Sequence, residues 1–165
     1  MKNPVRMILL GAMLAASAAA FSVHGQGQKE ASPHKIIHYG DLKWSPILPG
    51  AEVAAVAGDS TKAGELYVIR IKMADGAKIP PHWHPMDENV TVLKGSLLVG
   101  MGDAFDETKL TPMNTGNFLT VTKELHHFAM AKGETIVQVH GVGPFKVNFV
   151  NPADDPANAG AKAKP

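Results

Sequence analysis

Residues 76–95 constrain this chain more than any other stretch, and they read Gly-Ala-Lys-Ile-Pro-Pro-His-Trp-His-Pro-Met-Asp-Glu-Asn-Val-Thr-Val-Leu-Lys-Gly. His82 and His84 stand two apart, so on an extended strand both imidazoles leave the same face. Glu88 follows after a Pro-Met-Asp turn in which the chain redirects. Glu88, Val90 and Val92 then share one face of the next strand. Two imidazoles and a carboxylate brought together suit a first-row transition metal and leave positions for further ligands.

The surrounding sequence is β-rich. The runs Leu66–Met73, Leu97–Met101, Phe118–Val121, Thr135–His140 and Lys146–Val150 are short and rich in β-branched residues, with Gly, Pro, Asn and Asp between them. No long stretch after the N-terminal segment has helical periodicity. Many short, evenly spaced strands point to a sandwich or a barrel. Without its leader the chain keeps roughly 140 residues, enough for one domain with a real core and too few for two.

The spacing within 76–95 resembles the first motif of the cupin superfamily: glycine, five residues, His-x-His, three or four residues, glutamate, six residues, glycine. Gly76, His82, His84, Glu88 and Gly95 fill every fixed place. The second cupin motif is glycine, five residues, proline, one residue, glycine, two residues, and then a histidine that is the fourth metal ligand. Counted from Gly116, that histidine is His127. Thr122 stands where the pattern has proline, Glu124 where it has glycine, and Ala131 where an asparagine is sometimes found. Glycine serves such a turn because it tolerates positive φ, so the two replacements put the turn geometry in question. His126 is the rival ligand. Adjacent strand residues face opposite ways, so one of the pair faces the metal, and a rearranged turn around Glu124 would exchange them.

The resemblance implies an all-β, single-domain double-stranded β-helix, the cupin jelly roll, over residues 36–150, with 36–64 adding edge strands. It implies one divalent transition metal held by His82, His84, Glu88 and His127. Mn, Fe, Ni, Zn and Cu all tolerate three neutral nitrogens and one carboxylate. The function read from this is a metal-dependent enzyme, an oxygenase or related lyase or isomerase, acting on a small organic molecule, with Glu88 doubling as ligand and catalytic proton acceptor. The alternative is a non-catalytic module that binds or sequesters a metal or small ligand, and fold alone does not choose between them.

Other residues carry weaker signals. Gln138 and His140 share a strand face ahead of Gly141-Val-Gly-Pro144. They read either as outer-sphere or substrate contacts of the metal site or as side chains satisfied by their neighbours. Trp83 must point away from the histidines that flank it. Met73, Met86, Met101, Met113 and Met130 read as core filler, and Asp103, Asp106 and Glu107 as a solvated turn.

Lys2 and Arg6 precede the apolar run Met7–Phe21, which is rich in small residues. This is the layout of a cleaved signal peptide over residues 1–25, with cuts after Ala20 or Gly25 both allowed. The run is short for a membrane span of about twenty apolar residues, so no stable anchor is expected and the protein is placed in the periplasm or outside the cell. Residues 26–35 read as a flexible linker, and the Pro/Ala/Gly-rich residues 151–165 as a disordered tail. With no cysteine, neither a disulfide nor a thiolate ligand can form. Sixteen basic against fifteen acidic side chains leave no basic stripe for nucleic acid. The partner expected is therefore a small molecule. Ile36, Ile37, Tyr39, Leu42, Trp44, Ile47 and Leu48 form a cluster too apolar for a solvated leader, which reads either as packing along a sheet edge in a homodimer or as closing the chain's own barrel. Sequencing of the mature N-terminus should find a start between Ala20 and Gln26, and a retained Met1 would end the export reading.

Overall fold

The computed structural model describes residues 34–158. The leader, most of the linker and residues 159–165 lie outside the described residues. Nine antiparallel strands follow in order: β1 (Ser45–Leu48), β2 (Ala51–Ala57), β3 (Leu66–Met73), β4 (Lys78–Trp83), β5 (Glu88–Met101), β6 (Thr111–Asn114), β7 (Phe118–Val121), β8 (His127–Val142) and β9 (Asn148–Phe149). Short 3-10 turns occupy Tyr39–Asp41, Glu107–Lys109 and Pro152–Asp154, and the described residues contain no α-helix. The sheet runs β1-β2-β3-β8-β4-β9, while β5 pairs with β6, β7 and β8. The two long strands β5 and β8 pair from Asn89↔His140 to Met101↔His127 and carry the curl of the sheet into a jelly roll.

Alternation along these strands builds the core. Ile69, Ile71 and Met73 of β3 meet Val137 and Val139 of β8 and Val90, Val92, Leu97 and Val99 of β5, all buried. Complete burial of each such side chain contributes about 1.5–3 kcal/mol, and with no cysteine in the chain no cross-link adds to this.

The inward residues of β5 change parity along the strand, from Glu88, Val90 and Val92 to Leu97 and Val99. Strict alternation would turn one half outward. The register against β8 shifts between Val92 and Lys94 and again between Lys94 and Ser96, a bulge that restores the inward face. Gly95 lies in this bulge at φ +76°, and a Cβ there would run into the Glu134 carbonyl and Thr135. The last glycine of the first motif therefore keeps the carboxylate end and the aliphatic end of one strand in the same interior.

The expected strands Leu66–Met73 and Phe118–Val121 appear with those bounds, and Leu97–Met101 and Thr135–His140 lie within β5 and β8. Lys146–Val150 shrinks to the two residues of β9, which among the described residues pair with the end of β4. The segment before β3 supplies the β1–β2 hairpin. Its Trp44 is covered by Tyr39 at 6.0 Å and by the Lys72 ammonium at 4.7 Å. After β9, the Asn151 side chain caps the last 3-10 turn by accepting from the Ala153 N–H, at 3.0 Å.

Gly95→Ala should destabilise the fold by roughly 2 kcal/mol or more, from positive φ and the clash with strand β8 combined. Urea denaturation followed by tryptophan fluorescence measures this, and an unchanged midpoint would contradict the role given to the bulge.

Candidate metal centre

His82 and His84 leave β4 and its end on the same side, as the two-residue period requires. His127 opens β8 directly opposite His82, and Glu88 opens β5 after the tight turn from His84. One nitrogen from each of His82, His84 and His127 lies within 4.8 Å of the others. Glu88 Oε2 is 3.3 Å from His127 Nε2 and 3.6 Å from His84 Nε2. All four residues are buried, between 3% and 6% exposed.

The tautomers follow from the partners. The Nδ1–H of His82 donates to the Pro80 carbonyl at 2.7 Å, that of His84 to the Lys146 carbonyl at 2.9 Å, and that of His127 to the Leu125 carbonyl at 3.0 Å. A carbonyl only accepts, so each Nδ1 carries the proton and each Nε2 presents a lone pair. Burial, reinforced by the neighbouring His127 and His84, pushes the His82 imidazolium down to about 3, and burial lowers that of His84 as well. Burial alone would raise the Glu88 carboxyl. Its contact with His127, and the charge that His84, His127 and His82 bring to it when they carry a proton, outweigh burial and keep Glu88 below the usual carboxylate range, so it faces the neutral imidazoles as a carboxylate. Acceptors thus face acceptors, and the buried Nε2 of His84 has no hydrogen-bond partner. A cation between them resolves this arrangement, and the donor set fits a divalent transition metal.

His126 is on the other face. Its ring lies 6.4 Å from Trp83, nearly parallel to it, and its Nδ1 is 2.6 Å from Asp103 Oδ1. The count from Gly116 thus leads to the histidine that joins the cluster. The turn keeps its shape without the motif's glycine because Glu124 itself adopts φ +62°. Its backbone N–H donates to the His84 carbonyl at 2.8 Å, tying the turn to the histidine pair.

Two cavities flank the cluster. Beneath it a space of about 40 Å³ lies within the barrel, between His82, Glu88 and His127 and aliphatic residues such as Val99, Leu119 and Val121. Above it a cleft of about 350 Å³ reaches His82, His84 and Glu88. One wall of the cleft is Ile47, Leu48 and Val53 of the first hairpin, and the other is Phe145, Val147 and Phe149. Phe145 stacks on His84 with ring centres 4.8 Å apart and planes at 22°. Buried Tyr67 backs Phe145 at 5.5 Å.

Gln138 and His140 lie on the outward side of β8 and line neither cavity. The Arg70 Nε–H donates to Gln138 Oε1 at 3.4 Å, and His140 neighbours the exposed Phe118 at 6.2 Å. His127 and Ala129 before the exposed Lys132–Glu134 segment, and Val137 and Val139 after it, line the interior, so Gln138 and His140 between and beyond them fall on the opposite face. Phe145 and the Lys146 carbonyl were not singled out from the sequence, although an aromatic directly after Gly141-Val-Gly-Pro144 was a signal in plain view. Of the methionines, Met73 and Met113 are core residues, while Met86 and Met101 are exposed. Asp106 caps its turn by accepting from the Thr108 N–H, and Glu107 pairs with Lys78 at 2.8 Å.

A curled antiparallel jelly roll with three histidines converging beside the start of its long strand is the architecture of a cupin. Residues 32–145 match the family of the ChrR cupin-like domain, and the chain belongs to that family. It is 34% identical over 103 residues to the rhicadhesin receptor of Pisum sativum. That match covers 62% of this chain but only 39% of the pea protein, so the chain spans about two fifths of that relative's length. The fold is similar to the polyketide cyclase RemF from Streptomyces resistomycificus, with TM-score 0.60, 17% identity, and coverage of 78% of this chain and 93% of that one. It is also similar to an oxalate oxidase, with TM-score 0.50, 23% identity, and coverage of 70% and 67%. At these identities the two structural likenesses speak for the fold alone.

Replacing Glu124 by glycine removes the cost of a side chain at positive φ, on the order of 1–2 kcal/mol, and adds back part of it as chain entropy. Glu124→Gly should therefore leave stability unchanged or raise it by up to about 1 kcal/mol. A lowered melting temperature would mean that the Glu124 side chain has a role of its own.

Proposed function

We propose that His82, His84 and His127, through Nε2, and Glu88, through a carboxylate oxygen, hold one divalent transition metal and that the protein acts there on a small organic molecule. The observation that carries this reading is the set of three Nδ1–H donations to backbone carbonyls, which leaves three lone pairs and a carboxylate aimed at one another. A metal bound there supplies Lewis-acid polarisation of an oxygen donor on the ligand. The chain's own contributions are distinct from this. The carbonyls of Pro80, Lys146 and Leu125 fix the three rings. The aliphatic interior beneath the cluster keeps bulk water from that side. Glu88 turns Oε2 toward the histidines and is left with Oε1 as the atom that can accept a proton from a ligand. Oxalate oxidase and polyketide cyclase share the fold, which lends the enzyme reading an analogy at the level of fold only.

One observation favours a second reading, a binding module without turnover. Apart from the cluster, the protic side chains lining the cleft are Ser60 and Asp155, so few groups are available to relay protons. The pea relative named as a receptor supports the same reading. Export through the leader and pairing of two copies along the β1 edge belong to the proposal as well. The basic start and apolar run support the first. The second is supported by β1 having a strand partner only in β2 among the described residues.

Purified protein should carry about one metal per chain, and a His82→Ala/His84→Ala double variant should carry none; equal contents would end the assignment. Chelation should lower the melting temperature by on the order of 10 °C, since saturating a site at a hundred times its Kd stabilises by about 2.7 kcal/mol. Product formation from a panel of phenols, acids and sugars, abolished in Glu88→Gln, would establish an enzyme, whereas tight binding without product would establish the module. Light scattering should give twice the chain mass at micromolar concentration.

A further inference from the structure

We propose, resting on the metal reading above, that the cleft selects an uncharged ring-bearing ligand, a phenol or hydroxynaphthalene, over a carboxylate or phosphate. The walls carry the argument. Ile47, Leu48 and Val53 face the cleft from the first hairpin and Phe145, Val147 and Phe149 from the segment after β8, with Ile69, Ile71 and Ile79 between them. Among the described residues, no lysine or arginine lines the cleft. Recognition of a carboxylate or phosphate ordinarily uses such a cation, most often arginine with its paired donors. With the metal bound, Glu88 is neutralised as a ligand and the cation can meet one anionic oxygen, but the rest of an anion faces aliphatic wall and the Asp155 carboxylate, of its own sign, with no side-chain cation in the lining to pair with it.

Size and shape agree with a ring. Apolar cavities of about 150 Å³ already accept benzene, and this cleft is about 350 Å³, so one or two fused rings fit. Phe145 lies flat on His84, and Phe149 stands 6.2 Å from His82. Aromatic surfaces therefore flank the two cluster histidines that open to the cleft, and a planar ligand can pack against them edge to face or offset. A single hydroxyl directed at the cluster satisfies the polar end, and the remaining ring surface is buried against aliphatic wall.

The probes are 2-naphthol and oxalate, titrated by calorimetry into zinc-loaded protein, zinc being redox-inert. The wild type should bind 2-naphthol at least tenfold more tightly than oxalate. Ile47→Lys and Val147→Lys each place a cation on a different wall, outside the cluster. Either variant, folded and with its full metal content, should weaken 2-naphthol at least tenfold and strengthen oxalate. Oxalate binding as tightly as 2-naphthol to the wild type would overturn the inference, and so would variants that leave both affinities unchanged. Protein that holds no zinc yet still prefers 2-naphthol would refute the metal reading while supporting the selectivity of the cleft. Zinc-loaded protein that prefers oxalate would do the reverse.

Discussion

Three imidazole N–H groups donated to backbone carbonyls determine the state of everything else at the centre of this protein. Each carbonyl comes from a different place: Pro80 within β4, Leu125 in the turn before β8, and Lys146 after it. Fixing Nδ1 as the protonated nitrogen also fixes ring orientation, and with it the direction of three lone pairs. Without a proton between them, those lone pairs and the Glu88 carboxylate repel at 3.3–3.6 Å. Burial opposes that proton on His82 and His84. The site is therefore a shaped demand for positive charge, held in place by the surrounding sheet.

That demand can be met only because the jelly roll brings distant strand ends together. β4 and β8 pair so that His82 and His127 are neighbours, and the bulge at Gly95 lets β5 keep both its carboxylate and its aliphatic residues inward. The turn at Glu124 closes the arrangement by bonding to the His84 carbonyl. A non-glycine residue at positive φ persists when its surroundings over-determine it, and here a hydrogen bond to the histidine pair does so.

Most of the geometry of the cluster was legible in the sequence because it is local. A two-residue spacing fixes His82 against His84, a short turn brings in Glu88, and a count from Gly116 distinguishes His127 from His126. The unlike neighbours of that last pair, an interior cluster for one and Asp103 with Trp83 for the other, confirm how sharply strand alternation separates adjacent residues. The walls of the cleft were not legible. Ile47 and Phe145 lie almost a hundred positions apart in the chain and meet only through the order of the sheet, which no local period reveals. Gln138 and His140 illustrate the same limit. They share a face, as period two requires, but which face depended on how β8 resumes its alternation after the exposed Lys132–Glu134 segment.

The origins of the two halves of the site have a further consequence. The clustered histidines and Glu88 come from the middle of the domain, on β4 and its end, β5 and β8, whereas the two facing walls of the cleft come from its flanks, the β1–β2 hairpin and the segment from Phe145 to Pro156, with Ile69, Ile71 and Ile79 between them. The cluster and the facing walls of the cleft are thus written in largely separate stretches of the chain. Substitutions can accumulate in the flanks, changing what is admitted, while the strands that present the histidines stay as they are. A fold divided in this way can diversify its ligands without rebuilding its centre.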